Sequence, residues 1–328
     1  MLRDRLRDWI SQLAALAAVI LVGIVMTILS PYFLTYRNLS AVAVQGSVTA
    51  IIAVGMTLVI VTAGIDLSVG SAAALTGVLG ALLMVDAQLP WPVAAVCALV
   101  IGGGIGLVNG ALVGLARLAP FIATLGMMGV ARGLTFISTG AVAVYGLPDG
   151  FAVLGQGNLG PIPVPAVCLI AVIIVFSFLF NRTKLGRYAY AIGSNESAAR
   201  LVGIPVRRYL VMVYVAQGVL AGFGGIIATS RVASGQPNFG IGLELDAIAA
   251  AVIGGASLFG GQGRVSGAII GAFLIQLIRN GSVLLDINIY VQDVIIGLVV
   301  WLAVAWDQFR RKKITDRGRV QPAEAPAK

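Results

Sequence analysis

Residues able to do chemistry are scarce in this chain. The stretch AGIDLSVGSA, residues 63–72, carries Asp66 between two strongly apolar runs, and Lys and Arg are both absent from residue 38 through residue 116. A buried, unpaired carboxylate is costly or gives up its charge, so Asp66 requires either a structural partner or a functional reason. Histidine is absent, and the two cysteines, Cys97 and Cys168, both lie in apolar runs. Proton relays through His, His/Cys metal sites and a disulfide framework are therefore not expected. No nucleophile with a partnered base is visible, and no catalytic, cofactor-binding or metal-ligating set is assigned.

The elements that must hold Asp66 follow from composition. With 59% hydrophobic and 11% charged residues over 328 positions and a mean hydropathy of +0.99, the chain reads as an all-α polytopic membrane protein. Apolar runs measured against the roughly 20 residues needed to cross a bilayer predict about ten spans. They fall near 13–29, 41–62, 69–85, 92–116, 120–139, 163–180, 209–230, 246–260, 266–283 and 290–306, the eighth being short. With the N-terminus inside, all but Arg37, Arg132, Arg231 and Arg279 of the 22 Lys and Arg fall on the cytoplasmic side. The bias puts both termini in the cytoplasm, so the +9 net charge reports topology and not nucleic-acid binding.

Three regions are expected: a cytoplasmic interfacial helix at 1–12, a transmembrane domain at 13–306, and a basic, disordered cytoplasmic tail at 307–328. In the first, Leu2, Leu6, Trp9, Ile10 and Leu13 share one helical face with the charges opposite, which suits a helix lying on membrane lipid. The tail is polar and Pro-bearing.

Glycines recur every fourth residue at Gly102, Gly106, Gly110 and Gly114, and again at Gly263, Gly267 and Gly271. Each ladder offers a smooth face for close helix packing, and the repetition hints at related halves. The cytoplasmic segment 181–208, NRTKLGRYAYAIGSNESAARLVGIPVRR, is far longer than a passive helix connection. Within it Ser194 or Asn195 can cap a short helix that opens with Glu196, continues through Ser197, Ala198, Ala199, Arg200, Leu201 and Val202, and stops at Gly203 and Pro205. Two turns of helix are unstable alone in water, so a short capped helix with a small-residue face is expected to dock into a groove on another protein.

This segment resembles the coupling segment of ATP-binding-cassette importer permeases, whose pattern of Glu-Ala-Ala, three residues, then Gly appears as Ala198, Ala199 and Gly203, with Glu196 one place early. GIDLSVGS at 64, GLVNGALV at 106, PFIATLG at 120 and ELDAIAAAVIGGASLFGGQG at 244 are similar to the monosaccharide branch, of the ribose, xylose and galactose type. The resemblance implies a multi-pass protein of the bacterial inner membrane that passes a monosaccharide across it. It implies as partners a second permease subunit, a cytoplasmic ATPase and an extracytoplasmic sugar-binding protein. The chain has no G-x-x-x-x-G-K-[ST], so ATP and Mg are expected on the separate ATPase. The outward loop 140–163 is the expected landing surface for the binding protein. Permeases for branched-chain amino acids or nucleosides are the nearest alternative, and an ion-coupled secondary transporter is a more distant one.

Polar groups within spans are candidates for the translocation pathway: Gln45, Asp66, Asn109, Thr124, Gln217 and Gln276 by hydrogen bonding, and Phe121 by its ring face. Interhelical bonding is the commoner use of such residues. For Asp66 two roles stand side by side. Asp66 and Ser68 can accept hydrogen bonds from the backbone N–H groups that open the third helix, with Gly64 and Gly70 allowing close approach. Alternatively the carboxylate is a gate that meets Arg117, Arg264 or the sugar in one state. Glu244 and Asp246 are expected to serve the start of the eighth helix as cap and dipole partners.

Overall fold

The computed structural model describes residues 2–318, with side chains described from residue 13 and not at 303 or beyond 305. Among these, the fold is helical: α1 (Leu2–Leu29), α2 (Tyr36–Val61), α3 (Val69–Val85), α4 (Trp91–Gly114), α5 (Pro120–Thr139), α6 (Val153–Gln156), α7 (Val164–Arg182), α8 (Lys184–Ser194), α9 (Glu196–Leu201), α10 (Val206–Val232), α11 (Leu243–Ile253), α12 (Val265–Leu284) and α13 (Ile289–Gly318). A two-stranded hairpin pairs Asn158–Leu159 with Ile162–Pro163.

Six helices, α2, α4, α5, α7, α10 and α12, are long and apolar enough to cross a membrane, and Leu13–Leu29, Val69–Val85 and Ile289–Leu302 are shorter apolar helices. Proline explains several starts: it occupies the first turn of α4, α5 and α7, where its missing N–H costs nothing. α1 is one unbroken helix through the expected boundary at 12, and the side chains that would give its first turns an interfacial face lie outside the described residues. α13 continues past the expected exit at 306 to Gly318, so the tail is helical up to that point, and residues 319–328 lie outside the described residues.

α2 is the central post. From Gly46 to Val61 every residue is buried, which matches a mostly apolar stretch whose Ser47 and Thr57 hydroxyls donate to the helix's own carbonyls. The α4 ladder packs flush against α10. A methyl group on Gly102 would overlap the Gly218 carbonyl, one on Gly106 the Tyr214 carbonyl, and those on Gly110 and Gly114 the backbone of Val211 and Arg207. The second ladder is only partly a helix ladder. Gly267 and Gly271 sit on α12 against Gly254, which caps the end of α11, and Ala250 of α11, but Gly263 precedes the helix and abuts Val61 and Thr57.

The eighth expected span is the main departure. Its helix, α11, has 11 residues, against an expected 246–260, and chain 254–264 after it is irregular, with Gly255, Gly260 and Gly261 at positive φ. Before α11 the chain runs through turns over 237–242, with Gly240 and Gly242 at positive φ. Gly235 lies against Val78 and Ala81 of α3, while Gly240 lies against Gly70. Phe239 N donates to Gln236 O in a turn, so residues 235–240 pass from beside Ala81 to beside Gly70 of α3 as an irregular connection. Gln236, Pro237 and Asn238 between two glycines suit this connection.

The loop 140–163 is folded down over the end of α10. Val144 and Gly235 exchange backbone hydrogen bonds of 2.9 and 2.8 Å, and the Ser230 hydroxyl donates to Phe151 O at 2.6 Å and accepts from Gly155 N at 2.8 Å. Phe151 is buried beneath it and tilts against Trp91.

Candidate functional site

Two sites can be built from their residues. The first is cytoplasmic in expectation and local in construction. Thr183 caps α8 by accepting from Leu185 N at 3.1 Å, and Asn195 caps α9 by accepting from Ala198 N at 2.9 Å. Ser194 does not cap α9: its hydroxyl donates back to Tyr190 O. Glu196 pairs with Arg200 one turn on. α9 ends in a Schellman arrangement, with Gly203 N donating to Arg200 O, Ile204 N donating to Ala199 O, and Gly203 at φ +80°.

The expected docking face needs correction. Ser197 and Ala198 are exposed, but Ala199 is buried against the protein itself, so the two alanines do not share an outer face. The outward apolar groups are instead Leu201 and Val202, at 89% and 76% exposure. Side chains this apolar and this uncovered next to a capped helix are ready to pack against a partner.

The second site is buried and non-local. Asp66 is 2% exposed. Its Oδ1 accepts from Ser68 N at 2.9 Å and from Ser68 Oγ at 2.6 Å. Asn109 Nδ2 on α4 donates to Ser68 Oγ at 2.8 Å. Thr124 Oγ1 on α5 lies 2.9 Å from Pro120 O and 3.2 Å from Ile65 O, sharing one proton between them. Tyr214 on α10 brings its hydroxyl against Gly64, where an added methyl carbon would stand 2.7 Å away.

Asp66 thus holds the turn that opens α3. The expected cap is only half present, because Ser68 spends its hydroxyl on Asp66 and makes no side-chain cap of its own. In this conformation the Asp66 carboxylate accepts hydrogen bonds within its own turn, from the N–H and hydroxyl of Ser68. Tyr214 is about 12 Å along α10 from Val206, and Asn109 about 8 Å from the end of α4. α2 and α3, the latter 17 residues long, are joined through this turn.

The other pathway candidates separate. Gln276 Nε2 donates to Gln45 Oε1 at 3.2 Å, an α12–α2 bond remote from Asp66 in sequence and partners. Gln217 is fully buried beside Gly55 with neither amide atom bonded, and Asn109 Oδ1 and Tyr214 Oη are likewise unpartnered. Phe121 is half-exposed on α5.

At the start of α11, Gly242 at φ +81° is the N-cap, with no side-chain cap bond. Asp246 instead makes a two-pronged ion pair with Arg279 of α12, at 3.0 and 3.1 Å. Glu244 Oε2 lies against Gly70, and Arg132 Nη1 on α5 donates to Pro237 O and Phe239 O, both at 2.8 Å. The first turns of α3 and α11 therefore meet in the interior at Gly70 and Gly240. Sequence reasoning missed Arg132. Its signal was present: a lone Arg inside a 20-residue apolar helix.

A multi-pass membrane protein with interrupted helices in its interior and a capped, apolar-tipped helix on a long loop has the parts of a transport permease. The family model described as branched-chain amino acid transport system / permease component matches residues 38–304, and the chain belongs to that family. Among individual proteins, the chain is 43% identical to the ribose import permease protein of Escherichia coli K12 over 92% of this chain and 95% of that one. It is 39% identical to the D-allose transport system permease protein of the same strain, over 89% and 90%. It is 36% identical to the L-arabinose ABC transporter permease protein of Azospirillum brasilense, over 94% and 92%. No solved structure gives a significant match.

Proposed function

We propose that this chain is the membrane subunit of an ATP-driven importer that moves a monosaccharide across the bacterial inner membrane. The observation that carries the reading is the full-length likeness to permeases named for ribose, allose and arabinose. Those names span pentoses and a hexose, so they support the class of cargo and leave the individual sugar open.

The subunit works beside a second, identical copy. It receives sugar from an extracytoplasmic binding protein and engages a cytoplasmic ATPase that holds the ATP and Mg. The outward-pointing Leu201 and Val202 of the α9 end support the ATPase contact. The structured 140–163 loop, with Tyr145 and Leu159 exposed, supports the binding-protein contact. The six long helices, the three shorter apolar ones and α11 fit ten crossings or part-crossings with both termini cytoplasmic, as the basic residues favour. Each partner must bind one of the two pathway states more tightly than the other, since equal binding shifts no equilibrium.

The test is reconstitution with candidate ATPases and binding proteins in vesicles. Sugar-loaded binding protein should stimulate ATP hydrolysis and drive uptake that survives collapse of proton and sodium gradients. Uptake that stops with the gradient while ATP remains would favour an ion-coupled transporter. Stimulation only by a binding protein loaded with a branched-chain amino acid would return the chain to the function its family description names.

A further inference from the structure

α5 carries a guanidinium in the middle of an apolar helix. Arg132 lies about 18 Å along α5 from Pro120 and about 10 Å from Thr139, which places it well inside a hydrocarbon layer of roughly 30 Å. Its bonds to Pro237 O and Phe239 O use only Nη1, and its Nε and Nη2 donate to no described residue. The charged neighbour of Arg132 is Glu244, in the first turn of α11.

Both side chains are only half-buried. Around them the surface is open: Gly129 and Gly133 have no atom within 4 Å of an added methyl carbon, and Val130, Leu134, Ile241 and Leu245 are exposed. A half-exposed guanidinium at this depth cannot face acyl chains without a large desolvation cost, so this face must meet water or polar groups. The two backbone carbonyls hold Nη1 of the half-buried guanidinium.

We infer that Arg132 and Glu244 are the contacts for the hydroxyl groups of a monosaccharide passing the break between α3 and α11, with Arg132 donating from Nε and Nη2 and Glu244 accepting. The inference rests on the importer reading above. A sugar hydroxyl both donates and accepts, and a cation beside a carboxylate satisfies both functions while adding no net charge to the path of a neutral solute.

The test compares the unsubstituted permease with Glu244→Gln and Arg132→Lys in vesicles with ATPase and loaded binding protein. It reads sugar taken up per ATP hydrolysed, thermal midpoint and subunit assembly. Loss of a charge-assisted contact in the pathway should lower sugar moved per ATP by about tenfold, with assembly and thermal midpoint retained. Unchanged sugar per ATP in both variants overturns the inference. So does loss of assembly in either variant, which would place the pair at the subunit interface, and so does a parallel fall of ATP hydrolysis, uptake and thermal midpoint, which would make the pair a structural clamp. Failure of the unsubstituted complex to take up any monosaccharide strikes the importer reading itself and is seen before any variant is compared.

Discussion

The α8–α9 segment and the α3–α11 meeting point are both built around helix starts, yet they are held in opposite ways. α9 is made by its neighbours in sequence: Asn195 caps it, Glu196 and Arg200 brace it, and Gly203 ends it. The opening of α3 draws on four other helices, through Asn109 of α4, Thr124 of α5, Tyr214 of α10 and Glu244 of α11. A locally determined helix can stand out from the body and carry its apolar tip to a partner. A helix start assembled from distant segments is tied to the relative positions of all of them, as a transport pathway between moving helices requires.

The comparison breaks most sharply at the glycine contacts. Gly106→Leu drives a side chain into the Tyr214 carbonyl, and overpacking of this kind should exceed about 3 kcal/mol and abolish folded protein. Gly126→Ala, where the space is open, should be neutral. Recovery of monodisperse protein after detergent extraction reads both, and wild-type recovery of Gly106→Leu would mean that α4 and α10 do not pack as described.

Next in size is Ala199→Glu. It buries an unpaired carboxylate and should cost on the order of 3 kcal/mol, lowering the thermal midpoint, whereas Ala198→Glu, on an exposed position, should not. Equal midpoints for the two would return Ala199 to the outer face.

Asp66 separates shape from charge. Asp66→Asn keeps an acceptor for Ser68 N and Ser68 Oγ and should express and transport close to the unsubstituted protein. Asp66→Leu leaves both donors unpaired and should lose about 1–3 kcal/mol. If Asp66→Asn inserts normally but hydrolyses ATP without uptake, the charge belongs to the transport cycle and the turn is not its whole purpose.

The smallest stability effect belongs to the exposed segment, and it sharpens the contrast. Leu201→Asp should change stability by less than about 0.5 kcal/mol yet remove stimulation of the ATPase, because only the partner contact is lost. Normal stimulation would exclude this tip from docking.

Much of the local structure was legible in the residues themselves. Apolar runs placed α3 and α5 at their observed bounds, since a predominantly apolar run flanked by turn-forming residues is most stable as a single helix, even with one Arg in α5. Asn195, Gly203 and Pro205 marked α9 because caps and breakers act within a few residues of themselves. Tertiary structure alone decided the rest. Residues 235–242, GQPNFGIG, read as a connection from their Gly, Pro and Asn, but that this connection seats Gly240 on Gly70, across 170 residues of chain, is decided by packing alone. Whether Ala199 faces in or out depends on the surface beneath α9. Arg132 stood in the sequence as one charge in an apolar helix, and its meaning appeared only when folding brought the Pro237 and Phe239 carbonyls and the Glu244 carboxylate to it. Hydrophobic periodicity records which segments avoid water, while partners distant in the chain are chosen by packing that no local pattern encodes.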